Sequence, residues 1–210
     1  LGMRFDDRVV GQPEKFAPHA KIVHIDIDPA EIGKNISADI PIVGDIKNIL
    51  EEMISQLKDF TPKSHKDDYP HQNIQIEEGL NAPWVLRTLK RVAGKDLIIT
   101  TDVGQHQLWT AQHFSFNEPR TLISSGGLGT MGYGIPAALG AQLAQPEKKV
   151  VVITGDGSFQ MGMPELGTIA ELNLPIKIII FNNGTLGMVR QLQYHYCERR
   201  YSGVFFKKTL

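Results

Sequence analysis

A single cysteine, Cys197, stands among 210 residues. An internal disulfide is therefore excluded, and the chain suits a reducing compartment such as the cytoplasm. The seven histidines, His19, His24, His65, His71, His106, His113 and His195, show no zinc-ligand spacing and meet no cysteine pair, which excludes a zinc site. Apart from His106, they read as surface or loop residues. No G-x-S-x-G elbow occurs, which argues against a hydrolase. Charge of one sign is also missing. The formal net charge is −1, so no basic field draws the chain to nucleic acid or anionic lipid. Nor is there a membrane-length apolar run. Thr121 to Gln145 carries no charge, yet it holds six glycines and Pro136, whereas a span needs roughly 20 mostly large apolar residues. This window reads as a glycine-rich loop feeding a small-residue helix packed closely on a sheet. The chain opens on Leu1, without an initiator Met or signal-like stretch, and the expectation is an excised piece of a longer protein.

What is present is an ordinary globular composition, 41% hydrophobic and 21% charged, which excludes disorder and collagen-like repeats. Lys21 to Ile27 is a β-rich run, after which Pro29 suits the first turn of a helix. Ile40 to Val43 is a second short strand, and Asp45 is a good N-cap for a helix through Leu57. Residues 59–79 are polar, aperiodic and broken by Pro62 and Pro70, as an interdomain linker would be. From residue 80 onward, short apolar strands alternate with helices. Strands are expected at Asp96 to Thr100, Thr121 to Ser124, Lys149 to Thr154 and Ile176 to Phe181. Helices are expected around Trp84 to Val92, Gln105 to Gln112, Ile135 to Leu143 and Pro164 to Leu172. This is the pattern of an α/β fold, a parallel sheet flanked by helices, preceded over residues 1–58 by the tail of another α/β domain.

Parallel sheets bind ligands beyond the carboxyl ends of their strands. Two strands here end in oxygen ligands, Asp156 after VVVIT and Asn183 after IKIIIF. A carboxylate, an amide oxygen and a backbone carbonyl make a hard donor set that suits Mg²⁺, which usually keeps substrate phosphate in the rest of its shell. Gly155 and Gly157 admit close backbone approach, and Ser158 opens a helix N-terminus that favours anions. Either motif alone is an ordinary turn. Together, Gly155-Asp156-Gly157, a spacer of 24 residues and Asn182-Asn183 form a specific pattern. Gly127-Leu-Gly129-Thr-Met-Gly132 also satisfies G-x-G-x-x-G, with Asp156 as the downstream acid, which read alone suggests a dinucleotide site. That aspartate already belongs to the metal pattern, which ranks the nicotinamide reading lower.

The pattern resembles the thiamine diphosphate (ThDP) motif. The resemblance narrows to the acetolactate synthase (acetohydroxyacid synthase) catalytic subunit through Asp102-Val-Gly-Gln-His-Gln107, Ser124-Ser-Gly-Gly-Leu-Gly-Thr-Met-Gly132, Leu186-Gly-Met-Val-Arg190, Arg4-Phe-Asp-Asp-Arg8 and His24-Ile-Asp-Ile-Asp28. It implies the ThDP-binding fold, with residues 80–210 as the diphosphate domain. Asp156, Asn183 and the Thr185 carbonyl would then hold Mg²⁺. Gly157, Ser158, Gly187 and Met188 would line the diphosphate pocket, as would Val103, Gly104, Gln105 and His106. Gly129 would offer its carbonyl to the aminopyrimidine, and Met131 would be the apolar prop that keeps the cofactor bent. Gly2, Met3, Arg4, Phe5 and Asp6, with Asp26, Ile27, Asp45 and Ile46, would contact FAD, which has no net redox role in that family.

The implied reaction joins pyruvate to a second 2-keto acid, pyruvate or 2-ketobutyrate, with loss of CO₂ through hydroxyethyl-ThDP. It feeds branched-chain amino-acid synthesis. The family's catalytic glutamate lies in a pyrimidine-binding domain, and the site spans two subunits. These 210 residues are therefore expected to hold no catalytic residue proper and to be inert alone. The resemblance further implies a homodimer or higher homo-oligomer, a small regulatory subunit, and no nucleic-acid or membrane partner. Leu192 stands where many relatives carry Trp, which leaves second-substrate preference open. Sister ThDP carboligases such as glyoxylate carboligase remain the alternative reading, and a non-catalytic nucleotide-binding domain is a further one.

Overall fold

The computed structural model describes residues 1–57 and 78–207, so most of the expected 59–79 linker lies outside the described residues. The chain divides into two compact units, Leu1–Gln72 and Asn73–Leu210.

In the first unit, β1 (Val23–Asp26) and β2 (Ile40–Val43) pair in parallel, with Val23 opposite Ile40 and Asp26 opposite Val43. Helix α1 (Asp7–Val10) is a single turn capped by Asp6, whose side chain accepts from the Val9 N–H. Helix α2 (Ile46–Gln56) follows β2 directly, and Asp45 caps it by accepting from the Asn48 N–H at 3.2 Å, as its position predicts. The helix expected after Pro29 does not form. The Asp28 side chain instead accepts from the Ala30 N–H at 2.9 Å, and Glu31 N–H bonds the Asp28 carbonyl. This local capture of the backbone competes with helix, and Gly33 at φ +71° closes the turn. His24 is a second departure. It is buried in β1 at 1% exposure with its ring edge-on to Phe5, rather than lying on the surface.

The second unit is built on a four-stranded parallel sheet of β3 (Leu97–Thr101), β4 (Leu122–Ser124), β5 (Lys149–Gly155) and β6 (Lys177–Phe181), in the order β4-β3-β5-β6. Helix α3 (Ala82–Ala93) precedes it, capped by the Asn81 side chain and ended at Gly94. Helix α4 (Gln105–His113) joins β3 to β4, and α5 (Gly134–Ala144) joins β4 to β5. Helices α6 (Asp156–Gly162) and α7 (Glu165–Glu171) lie between β5 and β6, and α8 (Gly187–Tyr196) follows β6. Among the described residues no helix is long and apolar enough to cross a membrane.

The strands alternate their side chains between two cores. Leu97, Ile99, Val151 and Ile153 pack with Leu86 and Phe114 on one face, while Ile98, Val150 and Val152 pack with Ile135, Ala138 and Ala141 on the other. Burial on both faces explains why β3 and β5 read as near-continuous apolar runs. Ile153 is fully buried. Ile153→Ala is expected to cost about 3 kcal/mol by lost burial plus a cavity, read as a lower urea midpoint with an unchanged slope.

From β3 the chain moves outward to β4, then returns across β3 to place β5 on its other side. Between the carboxyl ends of β3 and β5 the connections therefore diverge, which is where open parallel sheets leave a crevice.

Candidate functional site

That crevice is a cleft of about 520 Å³ at the carboxyl ends of β3, β5 and β6. The segment after β3 supplies Val103, Gly104, Gln105 and His106; the segment after β5 supplies Asp156, Gly157 and Ser158; and the segment after β6 supplies Asn183, Thr185, Gly187 and Met188. Met131 reaches the same cleft from the glycine-rich loop. Twelve residues singled out from sequence thus line one cavity. Gly129 does not. It sits in an exposed turn at φ +68°, its N–H bonded to the Ser125 carbonyl.

Oxygen donors converge on one side. Asp156 is buried at 1% exposure, and its Oδ2 accepts from the Gly184 N–H at 2.9 Å. Asn183 Oδ1 accepts from the Thr185 N–H at 3.2 Å. Thr185 pairs antiparallel with Phe205, but the bonds around that bridge run from Leu186 N–H to the Val204 carbonyl and from Phe206 N–H to the Gly184 carbonyl. Such a pair points the N–H and C=O of its own residues away from the partner strand. The Thr185 carbonyl therefore faces the side of Asn183, while its hydroxyl is fastened to the Val204 carbonyl at 2.6 Å. One carboxylate, one amide oxygen and one carbonyl suit a hard cation such as Mg²⁺. No group of three or more His, Cys, Asp or Glu that could hold a metal occurs among the described residues.

The cleft also has features that suit an anion. Helix α8 opens at Gly187 with no side-chain cap, so its first N–H groups meet the cleft unpaired by a cap. A Cβ on Gly187 would run into the Gln105 side chain, and one on Gly157 would sit 2.9 Å from Phe206 Cζ and 3.0 Å from Leu186 Cδ2. At both positions protein side chains already fill the space a Cβ would need, so only glycine fits. His106 is buried, and its Nε2 has no hydrogen-bond partner. A buried ring nitrogen without a partner is costly, and His106 is among the residues that line the cleft. The site thus fits a metal-bound diphosphate on donor chemistry and on this orphaned nitrogen.

Burial lowers the His106 pKa from 6.5 to about 4, with the Asp102 and Asp156 charges and a backbone hydrogen bond at Asp102 opposing. The imidazole is therefore neutral at pH 7. Between pH 6.5 and 4 the unfolded chain binds the proton that the folded one refuses. Stability is thus fully present above 6.5 and falls as pH drops through that window, by about 3 kcal/mol over its whole width. His106→Gln is expected to flatten this slope in urea titrations at stepped pH, and an unchanged slope would contradict the assignment.

The sequence reading missed Trp109, on the buried face of α4. It lines the cleft and meets Phe181 edge-on with centroids 5.6 Å apart; helical spacing from His106 was its only signal. It also passed over Asp102 as a strand terminator, although this buried side chain accepts three backbone N–H bonds.

In the first unit, the Gly2 N–H bonds the Ile25 carbonyl at 2.8 Å, and its Cα lies against Ile46, whose Cδ1 is 3.1 Å from where a Cβ would be. The Gly2–Asp6 segment thus starts beside the carboxyl end of β1, with Asp26 ending that strand and Ile27 following it, and Asp45 and Ile46 following β2. Asn35 Nδ2 holds the Arg4 carbonyl at 2.9 Å, and Phe5 adopts φ +48°. Met3 is half-buried. Asp6, Asp26 and Asp45 each use Oδ1 to accept a local backbone N–H. Acceptors grouped at strand ends suit ligand hydroxyls.

Comparison with known proteins converges on the same chemistry. Residues 102–209 match the thiamine pyrophosphate enzyme C-terminal TPP binding domain, and residues 1–53 match the central domain of those enzymes. A protein described as a probable acetolactate synthase large subunit from Methanococcus aeolicus is 47% identical over 98% of this chain and 38% of its own length. An acetolactate synthase from Mycobacterium leprae is 46% identical over 96% of the chain and 35% of itself. The acetolactate synthase isozyme 2 large subunit of Escherichia coli is 44% identical over 96% and 38%. The chain spans a little over a third of the length of these relatives. With the Asp156–Asn183 donor set lying inside the matched region, the chain belongs to the thiamine pyrophosphate enzymes.

Proposed function

We propose that this chain is the cofactor-binding part of an acetolactate synthase large subunit. The observation that carries the reading is the oxygen set of Asp156, Asn183 and Thr185 facing a glycine-lined cleft, in a chain 44–47% identical to acetolactate synthases. Residues 1–58 are the end of a central domain, 59–79 a linker and 80–210 the diphosphate domain. The full-length enzyme joins pyruvate to a second 2-keto acid with loss of CO₂, in branched-chain amino-acid synthesis.

When bound, ThDP supplies the carbanion chemistry, and the protein supplies position and electrostatics. Asp156 and Asn183 would hold Mg²⁺ through their side chains and Thr185 through its carbonyl, and such an ion would supply the charge that offsets the diphosphate. Gly104, Gly157 and Gly187 would line the diphosphate pocket. Val103, Gln105, Ser158 and Met188 complete that pocket. His106, neutral at pH 7, would line the diphosphate pocket without adding charge. Met131 would be the apolar prop against the bound cofactor, and Gly129, which does not line the cleft of this chain, would have to offer its carbonyl to the aminopyrimidine from outside that lining. Gly2, Met3, Arg4, Phe5, Asp6, Asp26, Ile27, Asp45 and Ile46 contact FAD in a role without net redox. The active assembly is a homodimer or larger, cytoplasmic, with a small regulatory subunit.

The test is an acetolactate assay on the full-length reading frame with pyruvate, ThDP, Mg²⁺ and FAD. Acetolactate formation that requires ThDP and a divalent cation supports the proposal. ThDP-dependent ligation of glyoxylate with no acetolactate would move the function to a sister carboligase.

A further inference from the structure

We propose that Asp102 is a positioning residue that sets Met131 against the cofactor cleft, an inference that rests on that cleft being a ThDP site. Asp102 is fully buried, and none of the ion pairs among the described residues includes it. Backbone N–H groups satisfy it instead. Oδ1 accepts from Val103 at 2.9 Å and from Gly132 at 2.8 Å, and Oδ2 accepts from Gly134 at 3.1 Å. A carboxylate can accept on both oxygens, and such bonds to a charged group are among the stronger ones in proteins.

Two of these three donors lie 30 and 32 residues downstream, Gly132 in the glycine-rich loop and Gly134 where that loop enters α5. Gly132 adopts φ +84°, a conformation that suits glycine. Gly134 is gripped twice, because the Thr100 hydroxyl donates to its carbonyl at 2.8 Å. It is also packed without slack: a Cβ there would lie 3.0 Å from the Asp102 nitrogen and 3.2 Å from Oδ2. Met131 directly precedes the first anchored N–H. On the other side, Asp102 directly precedes Val103–His106, and its own N–H is tied to the Ile153 carbonyl at 3.0 Å. One carboxylate therefore joins two walls of the cleft that are remote in sequence and fixes the height of Met131 relative to the diphosphate-facing wall.

Asp102→Asn in the full-length protein tests this. Asn has nearly the same size but exchanges one acceptor oxygen for an NH₂ group, which cannot accept from a backbone N–H. Amide exchange in the 125–134 loop is expected to accelerate about tenfold or more, while β5 amides stay slow. ThDP affinity at fixed Mg²⁺ is expected to fall about tenfold. In a Met131→Ala background the same substitution is expected to cost less than about threefold in affinity, since residues acting as one unit are not additive.

Unchanged loop exchange, or an equal loss in both backgrounds, would overturn the proposal. Should Asp102→Asn not fold, exchange in the wild-type apoprotein decides. Gly132 and Gly134 amides as slow as those of α5, beside fast Gly126 and Gly127, support the anchor, and uniformly fast exchange overturns it. Failure of the wild type to bind ThDP is a separate outcome, visible before any variant is made. It sinks the site reading and the inference with it.

Discussion

Asp156→Ala is expected to weaken ThDP binding by about 100-fold or more at millimolar Mg²⁺, while the apoprotein stays folded. Loss of residues that merely orient a metal's ligands costs 10–100-fold, so loss of a direct ligand sets that range as a floor. Asp156 is the charged member of the donor set, and nothing nearby replaces it: Asn183 is neutral, and Thr185 offers a carbonyl. Removing the carboxylate also leaves the Gly184 N–H without its acceptor at 2.9 Å. That loosens the turn carrying Asn183 and costs about 1.5–3 kcal/mol of stability, which a unit with two well-packed cores withstands. Asp156→Asn separates the two effects. It keeps an acceptor for Gly184 and the local fold, yet lacks the charge the metal needs. Calorimetric titration with ThDP, with and without Mg²⁺, reads the binding change, and urea denaturation reads the fold. An Asp156→Ala protein that binds ThDP as the wild type does would remove this residue from the site.

Gly104→Ala is expected to be nearly as damaging, for a different reason. Gly104 adopts φ +154° at the mouth of α4, where a side chain is strained, at a cost of about 1–3 kcal/mol. The added methyl would also lie 2.7 Å from His106 Cε1 and 3.0 Å from Nδ1. The ring has nowhere to retreat. Its other flank is Gly155, where even a Cβ would come within 2.9 Å of Nδ1. Two glycines thus clamp one imidazole, and a methyl on either displaces it. Stability is expected to fall by about 2–4 kcal/mol, and ThDP affinity by about tenfold as the His106 Nε2 leaves the wall. A urea midpoint within about 0.2 M of the wild type, roughly the precision of such curves, would contradict the clamp.

The sequence made some of this legible because two signals are local. Fully buried parallel strands are apolar at nearly every position, which is how β3 and β5 stand out, and the half-buried edge strand β6 carries a similar run. Asp156 and Asn183 follow their strands directly, so reading the strands reads the ligands. Other features depend on partners that no window contains. Strand order is silent in sequence, because β3, β4, β5 and β6 carry the same kind of apolar run. The work of Asp102 is invisible for the same reason, since its partners lie 30 and 32 residues away. His24 looked like a loop histidine until Phe5, 19 positions earlier in the sequence, was placed against it. Helix α8 was missed because it has no buried residue, and its polar face left little period to read. The turn at 29–33 was missed because Pro29 fits a helix start and a turn equally, and the Asp28 side chain decides between them.

The most direct test of the central claim is calorimetric titration of ThDP into the full-length protein with Mg²⁺, with EDTA, and with excess inorganic pyrophosphate. One ThDP per chain is expected, bound only when a divalent cation is present and displaced by pyrophosphate. Binding indifferent to EDTA and pyrophosphate, or none at all, would contradict a metal-bridged diphosphate site built on Asp156 and Asn183.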